Sequence, residues 1–345
     1  MDMNIPKKRK LPIQYPIMTT YARHAYLLSI LSCYRETYPW IISNYIQLCI
    51  NTGYKNNWCD FYFPLPYEVR PSDTCKWIHT QKIHKNYVLQ KWGSVLDFII
   101  DNIDKNNYVS IVVDCHIIKA LNKYDIRRCT EEILIFGYSN TKKVFNSIIS
   151  INGVKYKTII ISYNECQSAF KSALETVNSL DITTLKYFAK CDYYFDIRNI
   201  INSVADYLTS KIPEYWIMYN CLDKKNIVCG ISLYDFLHEY LLSKYNDKRN
   251  NIDMEPFYIL MDHKKLMTQR LLFLYKNGYM KKNREILEYK QIEISMKKIL
   301  LLVKKLQFCS NEIKLKEILS RLKDMRQKEI KILNTFIDCA TRAIS

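Results

Sequence analysis

Apolar and polar positions repeat with two different periods along the chain, and the change of period predicts its organisation. Helical spacing of apolar residues over residues 20–51 predicts two helices, with Pro39 between them. Four runs rich in β-branched and aromatic residues follow, and they predict strands at residues 108–114, 132–138, 143–149 and 156–161. Because only short turns separate these runs, we expect an antiparallel sheet.

Beyond about residue 191 the period is helical almost throughout. Apolar stripes predict helices at residues 194–211, 232–245, 256–277, 283–308 and 311–343, of which the last two would pair as a helical hairpin. The sequence therefore predicts an α+β fold class in three parts. These are a basic N-terminal tail (1–11), an α+β domain with an antiparallel sheet (12–185) and a helical bundle domain (186–345).

Composition narrows the class of protein. The chain has 345 residues, 48% of them hydrophobic and 25% charged, which is typical of a globular protein. Its 12 cysteines are scattered without a C-x-x-C pair, and no apolar export signal follows the first basic residues, so we expect a reduced, cytoplasmic protein. No run reaches about 18 uninterrupted apolar residues, so no membrane span is predicted.

The net charge of +17 is concentrated at the C-terminal end. Residues 256–345 contain 20 Lys and Arg against 9 Asp and Glu. A basic helical end can contact nucleic acid, an anionic membrane or an acidic protein, or it can simply be a solvated helix face. Charge alone does not choose among these partners.

Several short stretches resemble one family. They are HAYLLSI from residue 24, DFYF from residue 60, VVD from residue 112, ILIFGY from residue 133 and ISYNE from residue 161. Together these stretches resemble the N-terminal family of butirosin biosynthesis protein H, over about residues 12–275. Members of that family occur beside nonribosomal peptide and polyketide genes. The resemblance implies a papain-like (cysteine-peptidase-like) N-terminal domain followed by a helical C-terminal region.

The resemblance also implies a reaction. A Cys thiolate would take an acyl group from a carrier-protein thioester and pass it to an amine, with a His as base and an Asp or Asn orienting it. The positions that match the Cys and the His of this pattern hold Tyr21 and Glu131 instead, Asn146 is at the position of the orienting residue, and Cys33 lies further along the predicted helix. Asp114 is a fourth candidate, at a strand end. We therefore expect a degenerate site at these four positions.

Two functions remain open from the sequence. The first is an accessory protein of natural-product biosynthesis whose partner is an acidic acyl or peptidyl carrier protein. The second is a non-enzymatic, basic helical protein that contacts nucleic acid or another acidic partner. No cofactor motif is present, and Cys115, His116 and Cys129 lack the spacing of a zinc site, so neither a cofactor nor a metal is predicted.

Overall fold

The computed structural model describes residues 7–52, 58–61, 70–122, 124, 130–176, 181–212, 224–247, 252–281, 283–309 and 311–344. The strands are β1 (Lys8–Lys10), β2 (Leu48–Asn51), β3 (Trp58–Phe61), β4 (Ile78–His84), β5 (Tyr108–Asp114), β6 (Thr130–Ser139), β7 (Val144–Ile151), β8 (Lys155–Ser162), β9 (Asp181–Tyr187) and β10 (Ile227–Cys229). The helices are α1 (Ala22–Leu31), α2 (Tyr38–Ser43), α3 (Pro71–Thr74), α4 (Lys85–Trp92), α5 (Val95–Asp104), α6 (Tyr163–Thr176), α7 (Ile197–Leu208), α8 (Leu233–Asn246), α9 (Glu255–Lys276), α10 (Arg284–Phe308) and α11 (Glu312–Ile344).

The chain divides into two compact units. The first comprises residues 1–38 and 69–193, and the second comprises residues 39–68 and 194–345. The sequence assigned residues 12–185 to a single domain, whereas residues 39–68 belong to the second unit, which is largely helical. The fold is thus mixed α+β, with an antiparallel sheet in one unit and a helical C-terminal region in the other.

The first unit is built on an antiparallel sheet with the strand order β4-β9-β5-β6-β7-β8, and β1 pairs with β6. Strands β5 to β8 confirm the four predicted strands. The sequence missed β4 and β9, and it took β1 for a tail. Strand β1 approaches β6 closely because Gly137 has no side chain. A Cβ atom there would lie 2.7 Å from the carbonyl oxygen of Arg9.

Helix α1 packs against this sheet. It contacts β6 and β7, and the Ser29 hydroxyl shares a 2.9 Å hydrogen bond with the Tyr156 hydroxyl of β8. Helices α5 and α6 contact β5 and neighbouring strands. Apolar side chains of the central strands are buried, including the continuous run Ile133–Phe136 of β6.

The second unit combines a small sheet with long helices. Its strand order is β10-β2-β3, and α9 contacts β3. Helix α11 packs against α7, α8 and α10, so the predicted hairpin of the last two helices is confirmed. Ile292, Met296 and Ile299 of α10 are buried within this bundle.

The second predicted helix is shorter than the sequence indicated, because residues 48–51 form β2. Arg270 of α9 is fully buried and accounts for the end of α2. Its guanidinium donates to the carbonyl oxygen of Ile42 at 2.7 Å and to that of Asn44 at 2.6 Å. Carbonyl groups at the C-terminal end of a helix receive no hydrogen bond from a following helical N–H, so the guanidinium takes the place of that donor. Beyond it, pairing of β2 with both β3 and β10 overrides the helical period.

The cysteines depart from the expected reduced state at one pair. Cys49 and Cys229 form a disulfide, since the register of β2 and β10 places them directly opposite each other with 4.3 Å between their Cα atoms. Eight other cysteines within the described residues are not disulfide-bonded.

Candidate functional site

Helix α1 begins directly after Tyr21, the position at which the resemblance implies a nucleophile. Tyr21 has a φ of 59°, a left-handed conformation that residues with a side chain seldom adopt. Its amide N–H donates to the carbonyl oxygen of Gly153 at 2.6 Å, in the turn between β7 and β8. Its side chain is buried. The helix start is thus held against the sheet, but the residue there is a phenol.

The carboxylate of Glu132, at the start of β6, belongs to a closed polar cluster. Glu132 accepts a hydrogen bond from Arg70 at 2.5 Å and another from the Ser110 hydroxyl. Its backbone carbonyl accepts from the hydroxyl of Tyr26 at 2.5 Å. Burial, followed by the charge of Glu132, raises the pKa of Tyr26 well above its usual value. The charge of Arg70 is thus already paired with Glu132, and the Ser110 hydroxyl already donates to the same carboxylate.

Glu131 has different surroundings from Glu132. Successive side chains of a strand point to opposite faces, so Glu131 does not share the face that holds Arg70. It is 8% exposed, although it is ionisable. Arg127 and Arg128, which precede this strand in the sequence, lie outside the described residues.

Asp114 is engaged where β5 ends. One carboxylate oxygen accepts from the Ser172 hydroxyl of α6 at 2.7 Å. The other accepts from the backbone N–H of His116 at 2.9 Å, and so caps the short turn that follows the strand. Asp114 thus has the contacts of a structural residue, since it links α6 to the end of β5.

Three of the four candidate residues lie at one end of the sheet. The register of β6 and β7 pairs Ile133 with Ile149, and continuing it by two residues places Glu131 level with Ile151, next to the turn that contacts Tyr21. Asp114 ends the neighbouring strand β5 at the same level. Asn146 lies five residues away from Ile151 along β7, a separation of about 16 Å along the strand. The structure therefore groups Tyr21, Asp114 and Glu131 by sheet end and leaves Asn146 toward the other end.

Cys33, the nearest thiol in the sequence, lies two residues beyond the end of α1. Its Sγ donates to the carbonyl oxygen of Ser29 at 3.5 Å, and burial raises its pKa. A reactive thiol needs a lowered pKa, usually from a cation or a helix N-terminus. Cys33 sits at the opposite helix end and is suited to packing.

A second polar cluster lies in the centre of the helical unit. The Lys264 Nζ atom is 2.7 Å from each carboxylate oxygen of Glu329, and neither side chain is exposed. Three hydroxyl groups donate to the same carboxylate, those of Tyr207, Tyr234 and Tyr289. Each of the helices α7 to α11 contributes one of these five residues. We call them the buried cluster.

Burial controls protonation in the buried cluster. It lowers the pKa of Lys264, while the charge of Glu329 opposes that shift. Burial and then Glu329 raise the pKa values of the three tyrosines well above the usual range. The phenols therefore stay protonated and act as donors, and the ion pair is surrounded by groups that satisfy it.

His263 adjoins the buried cluster in a defined tautomer. Its Nδ1 atom lies 3.2 Å from the Lys264 Nζ atom, and its Nε2 atom lies 2.8 Å from the carbonyl oxygen of Ile46. Because an ammonium group only donates, Nδ1 is the acceptor and the proton is on Nε2. Burial, with the charges of Lys264 and Arg270, lowers the pKa of His263 well below its usual value. The ring is neutral.

Sequence reasoning missed this cluster. Nearby opposite charges on one helix pair at Lys265, whose Nζ atom is 2.8 Å from Asp262, whereas Lys264 pairs with Glu329 inside the bundle. A signal existed for the others, since Lys264 stands between Leu260, Met267 and Leu271 at core spacing, and Glu329 stands four residues after the buried Met325.

No group of His, Cys, Asp or Glu side chains within the described residues could hold a metal ion. Among the described helices, none is both long and apolar enough to cross a membrane. The chain matches no model of a known protein family, and no characterised protein matches it either.

Proposed function

We propose that this chain is an accessory protein of bacterial natural-product biosynthesis, related to the carrier-protein-dependent acyltransferases. In this proposal it binds an acidic acyl or peptidyl carrier protein but does not transfer the acyl group. The proposal follows from the family resemblance of residues 12–275 and from the chemistry of the residues at the expected site.

One observation carries the loss of catalysis. Helix α1 starts against the end of the sheet that also holds Glu131, and the two side chains are a phenol and a carboxylate. The family reaction requires a thiolate and an imidazole at these places. A phenol at Tyr21 has no thiolate chemistry, and the carboxylate of Glu131 is a much weaker base than imidazole.

The test uses an acyl-loaded acidic carrier protein with an amine acceptor. After incubation, mass spectrometry should find no acyl adduct on any cysteine and no acylated amine. Binding of the carrier should be measurable and should weaken as salt is raised, since exposed charges are screened. An adduct on the wild-type chain would contradict the proposal.

Two variants sharpen this test. Cys33→Ala should behave as the wild type in both assays, because the pKa of this thiol is raised. The double variant Tyr21→Cys with Glu131→His restores the residue types that the family pattern implies, and we expect any acyl adduct to appear only there. An adduct that Cys33→Ala abolishes would identify Cys33 as a nucleophile after all.

The second candidate is a basic protein that binds nucleic acid, favoured by the excess of Lys and Arg in residues 256–345. The basic N-terminal residues support this function less, because Lys8–Lys10 pair with β6. Salt-sensitive binding to DNA or RNA, combined with no binding to carrier proteins, would favour this second function.

A further inference from the structure

Helix α10 carries apolar side chains on the face that points away from its own bundle. Leu287 is 63% exposed, and three further residues follow it at intervals of seven, with exposed fractions of 36%, 57% and 91%. We call these four residues the outer stripe: Leu287, Ile294, Leu301 and Phe308. The outer stripe extends for about 31 Å along the helix at about 1.5 Å per residue.

The outer stripe lies opposite the face by which α10 joins the bundle. Each residue advances a helix by about 100°, so residues seven apart stay within about 20° of one another. By the same count Met296 and Val303, which are buried, fall roughly on the reverse side. A helix that is apolar on two faces has one face left to cover, and exposed apolar patches commonly mark interaction sites.

Lysines border the outer stripe on both sides. They occur three or four residues after its members and are Lys290, Lys297, Lys298, Lys304 and Lys305. Glu293 accepts from Lys290 at 2.7 Å and from Lys297 at 3.2 Å, and Lys304 lies over the ring of Tyr258. Lys298 and Lys305 are exposed and form no ion pair within the described part of the chain. The border is therefore positively charged.

We propose that the outer stripe docks an amphipathic helix of a partner protein whose apolar seam is flanked by Asp and Glu. Residues seven apart stay on one side of a helix, so a partner helix lying along α10 would meet all four members of the outer stripe, and the residues beside its own apolar seam would meet the lysines that border the stripe. Carboxylates at those places would pair with Lys298 and Lys305. The proposal rests on the proposed function only in expecting an acidic protein partner.

Two other occupants fit the surface less well. A second copy of this chain would bring the same lysines together across the seam, and like charges there oppose pairing. A membrane surface favours helices with a broad apolar face, since binding increases with the apolar area that enters the lipid. The outer stripe has a single apolar residue for every two turns, and so narrow an apolar surface suits contact with one helix.

The experiment measures binding of two synthetic helical peptides of about three heptads. Both carry Leu at seven-residue intervals, one with Glu beside the seam and the other with Lys. The full-length chain should bind the Glu peptide at least about 10-fold more tightly than the Lys peptide, by fluorescence anisotropy at low salt. The double variants Leu287→Ser/Leu301→Ser and Lys298→Glu/Lys305→Glu should each weaken that binding at least about 10-fold.

A matched control changes the same charge elsewhere on the bundle. Lys323 and Lys331 are exposed on α11, so Lys323→Glu/Lys331→Glu should leave binding of the Glu peptide within about 2-fold of the wild type. All these substitutions are at exposed positions, and far-ultraviolet circular dichroism should show unchanged helix content. A variant that loses helix content would be replaced by its single substitutions before binding is compared.

The proposal is overturned if both peptides bind equally, or if the stripe variants bind as the wild type does. It is also overturned if the outer stripe instead mediates self-association in analytical ultracentrifugation, or binds only phosphatidylserine vesicles. Binding of the Glu peptide without binding of any carrier protein would retain the docking surface and refute the carrier as partner. If the stripe variants bind the carrier protein as well as the wild type does, the carrier is retained as partner and the outer stripe is refuted as its docking surface.

Discussion

Breaking the ion pair of the buried cluster should destabilise the helical unit strongly. The variant Glu329→Gln removes the carboxylate that pairs with the Lys264 ammonium, and Lys264→Met removes the ammonium that pairs with the Glu329 carboxylate. Removing one partner of a buried pair typically costs about 3–5 kcal/mol. The double variant Lys264→Met/Glu329→Gln contains no charge, and the Gln oxygen still accepts from the tyrosine hydroxyls. We expect it to lose less stability than the sum of the single variants by at least about 2 kcal/mol.

The measurement is a double-mutant cycle from urea unfolding followed by far-ultraviolet circular dichroism. The control cycle uses Glu317 and Arg321, an ion pair on the surface of α11 with 2.7 Å between its atoms. For a partly exposed pair the interaction should remain within about 0.5 kcal/mol. If the buried pair shows a coupling as small as the control, then Lys264 and Glu329 are not a desolvated ion pair and the reasoning fails.

Three further predictions concern the helical unit. Folding lowers the pKa of the buried, neutral His263, so the unfolded state binds more protons than the folded state below about pH 6.5. The free energy of unfolding should therefore fall by up to about 1.4 kcal/mol per pH unit as the pH drops. Unfolding of the variant His263→Gln, measured at several pH values, should lack this contribution. The Cys49–Cys229 disulfide joins residues 180 positions apart, and by its effect on the chain entropy of the unfolded state, reducing it should lower the free energy of unfolding by up to about 5 kcal/mol. Denaturant unfolding with and without reductant measures this, and identical midpoints would contradict it. Both Gly230 and Gly278 have positive φ, but only at Gly230 would an added Cβ atom meet a backbone oxygen, that of Tyr207 at 2.2 Å. Gly230→Ala should therefore lower the midpoint of thermal denaturation more than Gly278→Ala does. Equal losses would show that the contact relaxes.

The sequence predicted those parts of the fold that depend on local pattern. Strands β5 to β8 have continuous β-branched runs, and helices α7 to α11 have long apolar stripes, so both periods are visible without tertiary information. It failed where pairing with distant segments decides the structure. Strand β1 consists of three basic residues that pair with β6. Strand β2 has a helical pattern but is held between two other strands.

The candidate site shows a similar division. Three candidates, Tyr21, Asp114 and Glu131, could be placed near one sheet end because helix starts and strand ends can be recognised in sequence. Asn146 was chosen because the family pattern implies an Asp or Asn early on this strand, and the hairpin register puts it about 16 Å from the residue opposite Glu131. The buried cluster was missed because Lys and Glu were read as solvated, although both stand at core spacing in their helices.

The buried cluster also explains why the outer stripe is outside. Helix α10 has apolar residues on both faces, and the face that joins the bundle carries more of them, so apolar burial favours the observed orientation. Tyr289 adds to this preference, because its hydroxyl reaches Glu329 only when the face with Met296 is inside. A buried polar group costs free energy unless it is satisfied, so the reversed orientation would leave an acceptor of the cluster without its donor. Polar contacts in the core thereby fix the orientation of α10 and leave Leu301 and its neighbours available on the surface.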